Sequence, residues 1–119
     1  MTTVTFHMEG ERIVGFTVQG HSGYADEGSD IICAAVTSAV RLTECAVNDV
    51  LGLGAAVKVR ERDASITLKL PGSLGQTNES TCQTLLAALM VYLEQLHEEY
   101  PENLIVYAVD DADESSETL

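Results

Sequence analysis

The sequence has no tryptophan, and only two phenylalanines and four tyrosines among its 119 residues. A core built from this chain must therefore be aliphatic. Basic residues are nearly as scarce, with six lysines and arginines against 19 acids and a net charge of −13. So few cations argue against direct nucleic-acid binding, which depends on neutralising phosphates. The same imbalance favours a basic partner, which an acidic surface attracts and steers. No uninterrupted apolar run reads as long enough to cross a bilayer. Met1-Thr2-Thr3-Val4-Thr5 lacks the basic start of a signal peptide. The expectation is a cytoplasmic chain with no membrane association.

Cysteine is also sparse. Cys33, Cys45 and Cys82 are odd in number and widely spaced, with no CxxC pair. That pattern excludes a disulfide framework and the common zinc or redox motifs. Two of the three are expected to be small buried hydrophobes. The glycines form neither a Walker ending nor a dinucleotide fingerprint. Asp26, Glu27 and Asp30 do not have the spacing of a calcium loop. No metal or cofactor is expected.

What is present is enough for one domain: 45% of residues are hydrophobic, the usual proportion for a globular chain. Alternation over 3–8 predicts a strand. Glu9-Gly10-Glu11 predicts a hairpin turn, and Ile13, Val14, Phe16 and Val18 mark a second strand over 12–19. Residues 20–30, with Gly20, Gly23 and Gly28, read as a loop. Asp30 has the form of an N-cap, followed by a broadly apolar helix ended by Gly52 and Gly54. Strands are expected at 55–61 and 65–70 around a turn at Arg62-Asp63. Ser80-Thr81-Cys82-Gln83 has the form of a capping box. A stripe of Cys82, Leu85, Leu86, Leu89, Leu93, Leu96 and Tyr100 marks a second helix, which Pro101 stops. A last strand runs over 104–109. The acidic tail 110–119 lacks the apolar content to fold and is expected to be disordered. The order ββαββαβ implies an α+β fold, a mostly antiparallel sheet with both helices on one face.

One stretch combines chemistry with local geometry. His21 follows Gly20 at the end of the second strand, and Cys33 falls three residues after Asp30. A cysteine there lies in the first helical turn, where free amides and the helix dipole favour a thiolate. The Asp30 carboxylate opposes that charge, and an imidazolium at His21 offsets it. The residues alone leave two readings. His21 and Cys33 form a base and nucleophile, or they are an exposed loop histidine and a packed thiol. Thr37, one turn after Cys33, either hydrogen-bonds near the thiol or bonds its own backbone. His7 in a strand and His97 late in a helix read as structural.

Gly20-His21, Tyr24, Gly28 and Asp30-Ile31-Ile32-Cys33-Ala34-Ala35-Val36-Thr37 together resemble the signature of the ribosomal-processing cysteine protease family, Prp. The resemblance spans nearly the whole chain apart from the acidic tail. The family's usual serine one turn after the cysteine is Thr37 here, which keeps a hydroxyl. The resemblance implies a cytosolic homodimer. Its activity would be removal of an N-terminal extension from a large-subunit ribosomal protein, the twenty-seventh of the L series. It implies Cys33 as nucleophile and His21 as general base, with Asp30 and Thr37 supporting them. The loop 22–30, with Ser22, Gly23, Tyr24 and Gly28, would admit the basic precursor. The alternative is a non-catalytic ribosome-associated module that holds a partner with the same loop.

Overall fold

The computed structural model describes residues 1–20, 27–62 and 64–110, with the backbone alone at 27–30. Within these limits the element order is the expected one. Strand β1 spans Thr2–Glu9 and β2 spans Arg12–Gly20, joined at Gly10, whose φ of 62° suits a tight turn. Helix α1 spans Glu27–Glu44 and continues as a π-helical stretch, Cys45–Val50. Strands β3 (Ala56–Arg60) and β4 (Ser65–Lys69), helix α2 (Gln76–Glu99) and strand β5 (Leu104–Asp110) follow.

The sheet order is β3-β4-β2-β1-β5. The pairs β1–β2, β2–β4 and β3–β4 are antiparallel, and β5 lies parallel to β1. The fold is therefore α+β with a mostly antiparallel sheet. Alternation decides the two faces. Val4, Phe6, Phe16, Val18 and Leu68 are buried on one face, against Val36 and Val40 of α1 and Leu86, Leu89 and Leu93 of α2. Phe6 and Phe16 are cross-strand partners with ring centroids 6.1 Å apart. Burial of each ring contributes about 2–3 kcal/mol before ordering costs.

The other face is open and polar. One row crosses all five strands as Tyr107, Thr5, Thr17, Thr67 and Lys58. The Thr17 hydroxyl bonds Thr67 (3.1 Å) and His7 Nε2 (2.9 Å). His97 Nδ1 bonds the Leu104 carbonyl (2.5 Å). Both histidines thus sit in the framework, as expected.

Four expectations are corrected. First, α1 begins at Glu27, not after an Asp30 cap, so Gly28 and Asp30 are helical. Acidic residues in a first turn complement the helix dipole. Burial of Ile32 and Val36 on the same helix offsets the weak propensity of Gly28.

Second, α2 begins at Gln76, so Ser80–Gln83 lies inside it and makes no capping box. Thr81 and Thr84 donate instead to the carbonyls four residues back. Third, only Cys82 is buried, while Cys33 and Cys45 are both exposed. Fourth, Ile31–Val50 is long and apolar enough to cross a membrane by length and composition. Counting unbroken apolar residues missed it. Val36, Val40 and Val47 of this stretch are core residues, while Ile31, Leu42 and Val50 are exposed. Asp110, placed in the tail by sequence, ends β5, and 111–119 lie outside the described residues.

Candidate active site

The sheet ends and α1 meet over a cleft of about 360 Å³. Cys33 and Thr37, one helical turn apart on α1, form one wall. Val18 and Ile66, paired across β2 and β4, lie with Val59 of the edge strand β3 on the apolar side. Thr2, Gly20, Ala64 and Ser65 close the end of the cleft, and Arg60 and Glu61 complete its lining. On its other flank Cys33 borders a more open hollow with Ala34, Thr37, Ser38 and Arg41. Cys33 and Thr37 therefore border both hollows.

The fold sorts the three thiols. Burial pushes the Cys82 thiol up, with Glu79 adding to the effect and Arg12 opposing it. A thiol held in its neutral form is a poor nucleophile. Cys45 is exposed but lines neither this cleft nor the hollow beside it. Cys33 alone is both exposed and placed in a cleft. A groove of about 490 Å³ between α1 and α2, lined by Ala35, Ala39, Leu42, Leu85 and Tyr92 among others, is larger. Among the described residues, neither a cysteine nor a histidine stands in its walls.

The early helix start changes the position of Cys33. It falls in the second turn of α1, beyond the four unpaired amides that open a helix. Those amides lie in the turn that opens at Glu27, one turn earlier. Gly20 reaches the Cys33 cleft, and His21 is the next residue in sequence. His21, Ser22, Gly23 and Tyr24 lie outside the described residues, and of Gly28 and Asp30 only the backbone is described. Thr37 shares the cleft with Cys33, as its spacing implied.

The opposite wall was not legible beforehand. Val59, Ala64, Ser65 and Ile66 read only as strand and turn residues. They reach the cleft through the β2–β4 and β3–β4 pairings, which are long-range. The one local hint was the alternation that put Val57 and Val59 opposite in facing to Lys58 and Arg60.

Known proteins share this fold. Residues 1–105 match the model of the family described as cysteine protease Prp. The ribosomal processing cysteine protease Prp of Bacillus subtilis (strain 168) is 30% identical over 94 residues, covering 79% of this chain and 84% of that protein. The crystal structure of the essential ribosomal processing protease Prp from S. aureus with a substrate peptide superposes with a TM-score of 0.79 at 20% identity. That match covers 92% of this chain and all of the other. SMU.848 from Streptococcus mutans superposes with a TM-score of 0.78 at 21% identity, covering 92% of this chain and 95% of that one. An exposed cysteine on a helix, set in a cleft at the ends of this sheet, is thus found in a chain that belongs to the cysteine protease Prp family.

Proposed function

We propose that this chain is an endopeptidase that removes the N-terminal extension of a large-subunit ribosomal protein, the twenty-seventh of the L series. Cys33 is the nucleophile and His21 the general base. The observation that carries this reading is the exposure of Cys33 in a cleft that also receives Gly20, the residue before His21.

The chemistry follows from these two groups. His21 takes the Cys33 proton, and the thiolate sulfur attacks the scissile carbonyl carbon. The C–S bond forms as the carbonyl π pair moves onto oxygen. The imidazolium then protonates the leaving nitrogen as the C–N bond breaks, leaving a thioester. Water, deprotonated by His21, attacks the thioester and frees the new carboxyl group and the thiol. The S. aureus Prp crystallised with a covalently linked product peptide is consistent with a covalent route. Asp30 and Thr37 support the pair, and the segment containing Ser22, Gly23, Tyr24 and Gly28 admits the peptide.

The net charge of −13 suits a basic precursor. The reading places the chain in the cytoplasm, where ribosomal proteins are made. It also includes a homodimer, supported by Leu42 and Tyr92, which are 71% and 48% exposed at the α1–α2 groove. A dimer mass by light scattering at micromolar concentration checks this.

The test of the activity is incubation of the purified chain with the extended precursor. Wild-type protein releases the extension, and Cys33→Ala, with its fold intact by circular dichroism, releases none. Cleavage by Cys33→Ala at the wild-type rate would point to the binding-module alternative and to a contaminating protease.

A further inference from the structure

Ala64 is the one non-glycine with a left-handed backbone among the described residues, at φ 50°. It sits in the β3–β4 turn, with its N–H donating to the Glu61 carbonyl (3.2 Å). Its own carbonyl accepts the Gly20 N–H (3.2 Å). The β2–β4 register ends at Gln19 and Ser65. The bond from Gly20 to Ala64 therefore carries the ladder one step beyond its last pair. Ala64 and Gly20 both line the Cys33 cleft.

Gly20 is held from its other side as well. It pairs with Thr2 of β1, and a Cβ placed on Gly20 would meet Thr2 Oγ1 at 3.1 Å. Thr2 is buried and its N–H donates to the Asn103 carbonyl (2.9 Å). The end of β2 is thus fixed by β1 on one flank and by Ala64 on the other. His21 is the next residue in sequence.

We infer that Ala64 is a positioning residue for the His21–Cys33 pair: its left-handed backbone anchors Gly20 and so sets where His21 begins. The inference rests on the proposed roles of His21 and Cys33. A left-handed conformation is strained for alanine, easy for glycine, tolerated by asparagine and strongly disfavoured for β-branched residues. Strain kept at one position beside a reacting cleft is a mark of pre-organisation. Ala64→Val forces the backbone out of this conformation and turns the carbonyl away from Gly20. Ala64→Asn adds comparable bulk to the cleft while keeping the conformation.

The experiment compares Ala64→Val, Ala64→Gly and Ala64→Asn in the full chain. Steady-state cleavage of the precursor is measured alongside the pH profile of Cys33 alkylation by iodoacetamide, followed by peptide mapping. Ala64→Val is expected to lower kcat roughly tenfold with KM nearly unchanged, because misplacement affects chemistry more than binding. Its alkylation profile shifts towards that of His21→Ala. Ala64→Gly and Ala64→Asn keep both the wild-type kcat and the wild-type profile. Gly20→Ala, which crowds Thr2 from the same strand end, serves if Ala64→Val does not fold. It is expected to lower kcat in the same manner. Wild-type kcat and profile in the folded disruptive variant overturn the inference, as does equal loss in Ala64→Gly. Both outcomes are scored with an active wild type. A wild type that cuts nothing, and whose Cys33 profile ignores His21→Ala, removes the dyad reading and this inference together.

Discussion

Gln83 bonds both backbone groups of Ile13. Its side-chain oxygen accepts the Ile13 N–H (2.8 Å) and its amide donates to the Ile13 carbonyl (2.8 Å). A helix residue thereby takes the place of a strand neighbour beyond Gly15 and Lys69, where the β2–β4 register stops. Gln83→Leu leaves both Ile13 groups without these partners. The expected loss is about 2–3 kcal/mol, read from urea denaturation. A loss below about 0.5 kcal/mol would show that water replaces the amide without penalty.

Arg12 anchors the same corner. Its Nε and Nη2 bond the two Glu79 oxygens at 2.8 and 3.0 Å, and Nη2 also bonds the Pro71 carbonyl at 3.0 Å. The hydrogen bonds it donates to Glu79 hold the guanidinium pKa above its usual value, against the effect of burial. The two side chains remain 25% and 32% exposed, so solvent screens the pair. Arg12→Lys loses the fork. About 1 kcal/mol of stability should go with it at low salt, and less near 1 M, where screening is stronger. An equal loss at both ionic strengths would argue that packing, not charge, holds this corner.

Gly15 in β2 faces the Leu68 carbonyl of β4. A Cβ at Gly15 would stand far inside contact distance of that oxygen, where no side chain is tolerated. Gly15→Ala must therefore push the two central strands apart. We expect roughly 3 kcal/mol of destabilisation or more. Gly72→Ala, with nothing within 4 Å of the added atom, is the control. It should change stability by about 0.5 kcal/mol at most. Equal unfolding midpoints for the two variants would contradict the close approach.

The buried Cys82 thiol predicts a pH dependence. Burial raises it in the folded chain. An unfolded chain releases the thiol proton above about pH 8.5 while the folded one still holds it. The unfolded state then binds fewer protons, so stability falls as pH rises. The contribution is fully present below that pH and is lost as pH climbs towards the folded value. Cys82→Ala should flatten the alkaline decline of Tm between about pH 8 and 10, although its cavity lowers Tm throughout. Parallel Tm curves for the two proteins would exclude the thiol as the source.

Much of this structure was legible in the sequence, for local reasons. Val4 and Phe6, then Phe16 and Val18, alternate in the chain and share one buried face. The stripe of Leu86, Leu89, Leu93 and Leu96 is the buried side of α2. Cys33 and Thr37 were legible as neighbours because one helical turn separates them. The start of α1 was not legible, since Gly28 and Ser29 favour a turn locally and only packing of the later turns extends the helix back to Glu27. The capping-box residues were misread because Gln83 is used by Ile13, 70 residues away. The same limit hid the far wall of the cleft. Val59, Ala64 and Ile66 face Cys33 only through strand pairings that no short window contains.

The two exposed thiols of the α1 segment have a practical use. Cys33 and Cys45 are 12 residues apart in one continuous helical run, about 18 Å along its axis. That separation is too great for a disulfide within one molecule. Cys45 is therefore an internal calibrant carried by every molecule. An electrophile added to the protein samples both thiols under the same buffer, dose and time. The ratio of the two labelled peptides cancels errors in all three. A compound that modifies Cys33 in excess over Cys45 has recognised the cleft, whereas one that labels both equally is merely reactive. The protein thus supplies its own selectivity scale for covalent inhibitors, with no second protein needed as a reference.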